Sequence, residues 1–373
     1  MLEGLQGGDG GVRQHQQHQQ LRQHVTGHAA HAFLFFFQIT VLSLLYMVFL
    51  SLSLMGSLST VLISIAKRKR LHEQVMPLVQ LGAADFLASA TLMSATSLNF
   101  LPYGALPDSV VLCERGLPLS LMFYCVSFLL AILYATESIR ATQGWRESVG
   151  DGDQEELMRR KRNFVLLCVA VWVLPVVLFF LYTETLTTSM VPIGPACPVP
   201  TSSCNSCLPF LHLHGDNCSD VDDSHNDFVR GFLLVTLISV LLTSTVVYCK
   251  LQRWSQRYEH TGMLTVEGDG FSRRQLRDVL SSSRCITLVI IVCWTPALVL
   301  VVLSFITQIQ QEDIFVLYIL QAVSMSLQGF LNSVVYAWRR KNFRLAVLGE
   351  RMPLLSSHQR ATPFFEESLP TPP

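Results

Sequence analysis

The sequence predicts an all-α membrane protein: a bundle of seven transmembrane helices with its amino terminus outside, its carboxyl terminus inside, and a short amphipathic helix after the seventh span. Three observations predict it. Only 14% of the 373 residues are charged and 50% are hydrophobic, whereas soluble domains run near 25% charged. Seven apolar runs, about 33–66, 75–101, 113–139, 163–183, 228–249, 283–308 and 314–338, are each long enough to cross a hydrocarbon core of roughly 30 Å. Of the 27 lysines and arginines, all but Arg13, Arg22, Arg115 and Arg230 fall in segments that this topology places in the cytoplasm, which is the charge bias that orients membrane helices.

Residues 1–32 are rich in Gly, Gln and His and lack an apolar run, a composition expected of a disordered extracellular tail. The first span therefore serves as the targeting signal. It ends in Gly56-Ser57-Leu58-Ser59-Thr60, small residues that let a neighbouring helix approach closely, and is followed by the basic turn Lys67 to Arg70. The second span carries Asp85 near its middle. A carboxyl group at that depth is costly without polar partners on facing helices, so Asp85 is a candidate functional residue.

The third span opens at Cys113 and ends at Glu137 and Arg140, which lie three apart and can pair on one helix face. Trp172 and Pro175 in the fourth span are consistent with packing and kinking alone. The external loop 184–227 contains Cys197, Cys204, Cys207 and Cys218. Cysteines on that side form disulfides, so Cys113 is expected to tie to one of them; Cys218, next to the fifth span, is favoured, although sequence leaves the connectivity open. With His212 and His214 the loop cysteines also have the makings of a zinc set, a lesser reading in an oxidising compartment. Asn217-Cys218-Ser219 fits a glycosylation acceptor at Asn217.

The sixth span carries Cys293-Trp294-Thr295-Pro296 at its centre. A proline there removes a backbone donor and crowds the preceding turn, so a kink is expected, with a bulky indole beside it. The seventh contains Gln328 and Asn332-Ser333-Val334-Val335-Tyr336, and the stretch after it, with Phe343, Leu345, Val347 and Leu348 among basic residues, is expected to lie along the inner membrane surface and its lipids. The receptor-like domain thus spans 33–348, and 349–373, rich in Pro and Ser, is a disordered cytoplasmic tail. No cluster of His, Cys or paired carboxylates suits catalysis, so an enzyme is not expected, nor is a nucleic-acid partner.

Taken in order, the cysteine opening the third span, the Cys-Trp-Thr-Pro of the sixth, and Asn332-Ser333-x-x-Tyr336 followed by Phe343 resemble the rhodopsin-like G-protein-coupled receptors across about residues 40–348. The resemblance implies an orphan receptor of the plasma membrane. An unknown ligand would enter from outside and meet Ser120, Tyr124, Trp294 and Gln321; the sixth helix would swing at Pro296, with Trp294 and Cys293 as the switch; and a heterotrimeric G protein would meet Glu137, Ser138, Arg140, Tyr248 and Tyr336. It also implies a sodium ion at Asp85, Ser127 and Asn332, with Gln328 replacing the usual polar neighbour. Ser120 stands where amine receptors carry an aspartate and Ser326 where opsins carry the retinal lysine, which argues against both.

The departures are specific. Ser138 replaces the arginine that contacts the G protein, Ser57 an asparagine and Ser333 a proline, and the fifth span lacks its proline. Gly56-Ser57 and Tyr336-Ala337-Trp338 are more similar to the divergent cAMP-receptor-like branch and to an orphan multi-span protein. Ser138 supports one alternative, a non-signalling seven-helix scaffold or decoy. A second, an ion or proton transporter working through Asp85, predicts paired inverted repeats and broken helices, and no internal repeat is visible.

Overall fold

Long apolar segments in a hydrocarbon slab must satisfy their own backbone, and the helix does so within one segment. The computed structural model describes residues 9–66, 75–101, 109–147, 154–189, 207–209, 223–261, 270–306 and 314–339. The helices are α1 (Asp9–Ala66), α2 (Val75–Ser97), α3 (Ser109–Glu147), α4 (Gln154–Ser189), α5 (Asp223–Thr261), α6 (Gly270–Leu303), α7 (Phe315–Ser326) and α8 (Gln328–Arg339). No strand occurs among the described residues. Each lies where an apolar run was expected, but most run past the apolar segment at one or both ends.

Among the described residues, five stretches are long and apolar enough to cross a membrane: Phe37–Ala66, Arg115–Arg140, Arg162–Glu184, Arg230–Gln256 and Val279–Leu303. A sixth crossing is made if α7 and α8 are taken together. The expected second span is also a helix, α2, outside these five; it carries Gln80, Asp85 and several serines and threonines and packs against α1 and α3. The expected last span is not one continuous helix. It is two helices meeting at 47°, because Leu327 adopts φ −80°, ψ −8°, well off the helical ψ of about −42°.

Hydroxyl groups facing lipid are satisfied by their own helix. On α5, Thr236, Ser239, Thr243 and Thr245 each donate to the carbonyl four residues back, which removes the penalty of an unpaired donor in hydrocarbon. Pro118, Pro175 and Pro296 all lie inside continuous helices. The main core joins Tyr46 and Leu50 of α1, Leu92 of α2, Tyr124 and Phe128 of α3, Ile290 and Trp294 of α6 and Tyr318 of α7. α4 leans chiefly on α3 and leaves Val165, Leu166, Val169, Val173, Leu174, Phe180 and Leu181 exposed, the surface a lipid-facing helix presents.

Candidate functional site

The polar centre lies where α2, α3, α6 and α8 converge. Asp85 is 2% exposed, and three side chains donate to it. Ser127 Oγ reaches Oδ1 at 2.6 Å and Gln328 Nε2 reaches the same oxygen at 3.2 Å. Asn332 Nδ2 reaches Oδ2 at 2.9 Å. Gln328 Nε2 also donates to Ser127 Oγ at 3.1 Å. Each bond crosses between helices, so the cost of burying Asp85 is met by groups that sequence separates by 42 to 247 residues.

Trp294 joins this centre. Its Nε1 donates to Gln328 Oε1 at 2.5 Å. An indole N–H can only donate, so it fixes which end of the Gln328 amide is the oxygen and turns the amide nitrogen onto Asp85 and Ser127. The indole is clamped edge-on between Tyr124 and Phe128, with ring centroids 5.2 and 4.9 Å away, a geometry favoured by the ring quadrupoles. The bend at Leu327 makes this possible. It swings Gln328 inward while Gly329 presses its backbone against α1 and α2: a Cβ added at Gly329 would lie 2.6 Å from Ser57 Oγ, 3.2 Å from Asp85 Cβ and against Ser53 Oγ. Ser53 in turn accepts from Ser89 Oγ at 3.0 Å.

Of the expected sodium set, the structure brings Asp85, Ser127, Asn332 and Gln328 into one hydrogen-bonded group with Trp294. The expected ligand-facing residues are less unified. Tyr124 touches Trp294; Gln321 accepts from the Tyr46 hydroxyl at 3.0 Å; Ser120 donates back to Leu117 of its own helix. All are buried. Cys293 is buried, and its carbonyl accepts from Ser324 on α7, which ties the sixth span to the seventh one residue before Trp294.

At the end of the bundle expected to face the cytoplasm, Ser138 is buried and its hydroxyl lies 2.7 Å from that of Ser283 on α6. Each also reaches a carbonyl of its own helix, at Tyr134 and Val279. Glu137 and Arg140 pair at 2.9 Å on the surface, where such pairs contribute little. Tyr336 packs instead with Ile63 and Ala337, and Tyr248 is half-buried on α5.

Asn99 was not singled out by sequence. It accepts the Cys207 N–H at 2.7 Å and donates to Ser43 Oγ at 3.0 Å and to the Cys207 carbonyl at 3.4 Å, while Leu208 enters the main core. Residues 207–209 are thereby clasped against Asn99, just past the end of α2, beside Ser43 of α1. Cys207 is disulfide-bonded, so this loop cysteine takes part in a bridge. The expected Cys113–Cys218 pairing, glycosylation at Asn217, the amphipathic helix at 340–348 and the tail 349–373 fall on side chains or segments outside those described. Tyr46, Ser283 and Gly329 were also missed. A glycine within an apolar helix was the available signal for Gly329; nothing local marks the other two.

A bundle of long apolar helices closed around a fully buried polar centre defines a multi-pass membrane protein. The chain belongs to the Transmembrane protein 116 family, whose profile matches residues 39–362. That is the orphan to which Gly56-Ser57 and Tyr336-Ala337-Trp338 are similar. Comparison with curated proteins gave no match.

Proposed function

We propose that this protein is a seven-span receptor of the plasma membrane that binds a ligand in its outer half and signals inward through α6. One observation carries the reading: the unbroken chain from the clamped indole of Trp294 through Gln328 to Asp85, Ser127 and Asn332. A ligand that displaces Trp294 must break its bond to Gln328 or carry α8 along, so movement in the outer half is transmitted to the inner half. With Pro296 inside α6, one backbone hydrogen bond is already missing where the helix would swing. The swing would part Ser283 from Ser138 and open a cleft beside Glu137, Arg140, Tyr248 and Tyr336, to which a heterotrimeric G protein would bind. The ligand drives this only to the extent that it binds the open state more tightly than the closed one.

A second reading has its own support. Ser138, where the receptors the sequence resembles carry a G-protein-contacting arginine, is tied to Ser283, which suits a bundle that kept the fold as a scaffold or decoy and lost coupling. The test is a panel of G-protein activation assays on cells expressing the parent chain, Asp85→Asn and Ser138→Arg. Ligand-free activity that changes in Asp85→Asn supports the receptor. Silence of the parent chain in every G-protein class at normal surface expression, with activity appearing in Ser138→Arg, supports the second reading.

A further inference from the structure

The receptor resemblance implies a sodium ion beside Asp85, and the donor geometry does not fit one. A hard monovalent cation needs oxygen lone pairs converging on a common point. Around Asp85 the groups that converge are donors: Gln328 Nε2 at 3.2 Å and Asn332 Nδ2 at 2.9 Å. Gln328 Nε2 also lies 3.1 Å from Ser127 Oγ, so its N–H bonds point between the two oxygens that a cation would share. Turning the amide over to offer oxygen is blocked at its other end, because Oε1 is held by the Trp294 N–H, which has nothing to accept with.

We infer that the Gln328 amide is this protein's built-in substitute for a cation: a positioning residue that holds Asp85 and Ser127 together and makes the polar centre indifferent to sodium. The inference is independent of whether the chain signals. It rests on the Trp294–Gln328–Asp85 geometry alone.

The test is thermal unfolding of the purified full chain in detergent, followed with a thiol-reactive dye that reports exposure of the buried Cys168 and Cys293. Sodium chloride is compared with potassium chloride at equal concentrations. The parent chain is expected to show one unfolding temperature in both salts. Gln328→Ala is expected to unfold several degrees lower in potassium and to recover part of that loss in sodium only, since it leaves Asp85 and Ser127 oxygens around a vacated volume. Adding Asp85→Asn to that variant should abolish the recovery. A parent chain stabilised by sodium over potassium, with the difference lost in Asp85→Asn, overturns the inference. So does a folded Gln328→Ala that stays indifferent to the ion. Should Gln328→Ala fail to fold, Trp294→Phe takes its place: it removes the N–H that fixes the amide, and it is expected to acquire a sodium response where continued indifference would overturn the assignment.

Discussion

Replacing Gly329 by alanine tests the packing on which the polar centre depends. In a helix interior the change should stabilise by about 0.5–1 kcal/mol, because alanine loses less backbone freedom. Gly231 on α5 shows that term alone, since a Cβ there meets nothing within 4 Å. At Gly329 the same methyl lies 2.6 Å from Ser57 Oγ, against Ser53 Oγ and 3.2 Å from Asp85 Cβ. The serine oxygens can rotate away, but Ser53 then gives up its bond from Ser89, on the order of 0.6 kcal/mol within a membrane bundle. Asp85 Cβ yields only if α2 shifts. Overpacking of this kind costs about 1–3 kcal/mol, so with the lost bond of about 0.6 kcal/mol Gly329→Ala should be less stable than Gly231→Ala by roughly 1.6–3.6 kcal/mol. Unfolding temperatures of the two purified variants should therefore separate by several degrees, the parent chain lying between them. Removing both hydroxyls, in a Ser53→Ala, Ser57→Ala background, should shrink the penalty to what the Asp85 contact leaves. If Gly329→Ala were as stable as Gly231→Ala to within about 0.5 kcal/mol, the close approach of α8 to α1 and α2 would be wrong.

Four further outcomes follow from the hydrogen bonds. Asp85→Asn sets an amide N–H₂ against one of the donors of Ser127, Gln328 or Asn332 and should lower stability by about 1–3 kcal/mol; adding Asn332→Asp, which moves the carboxyl across the same gap, should restore part of it in thermal unfolding. Asn99→Ala removes the clasp on Cys207, and should speed proteolysis of the outer loop in intact cells by several-fold while the helices stay folded by circular dichroism. Ser283→Ala should cost only about 0.6 kcal/mol, since Ser138 retains the Tyr134 carbonyl. Ser138→Arg, which forces a long charged side chain into a buried site, should instead part α3 from α6 and raise the labelling rate of a cysteine introduced at Ser283.

Much of this protein was legible from sequence because a bilayer makes the rules strict. A run such as Val165 to Phe180 has no fate but a helix facing lipid, and a carboxyl group such as Asp85 in mid-span has none but an interior with donors. The helical segments and the burial of Asp85 among polar partners follow from those constraints; the membership of Ser127, Gln328 and Asn332 in its surroundings was implied only by the receptor resemblance. The break at Leu327 does not follow from either, because no proline marks it and the bend is a matter of one ψ angle. Neither does Asn99, whose partner is the backbone of Cys207, nor Ser283, whose partner is 145 residues away.

Composition and periodicity alone determined that the chain is a bundle of membrane helices with a buried carboxyl group, since transfer of side chains into hydrocarbon is a property of each residue taken singly. Only the tertiary structure decided that Gln328 presents its nitrogen to Asp85 and its oxygen to Trp294. An amide has two faces of opposite character, and which one points where is set by a donor on another helix that no local pattern encodes.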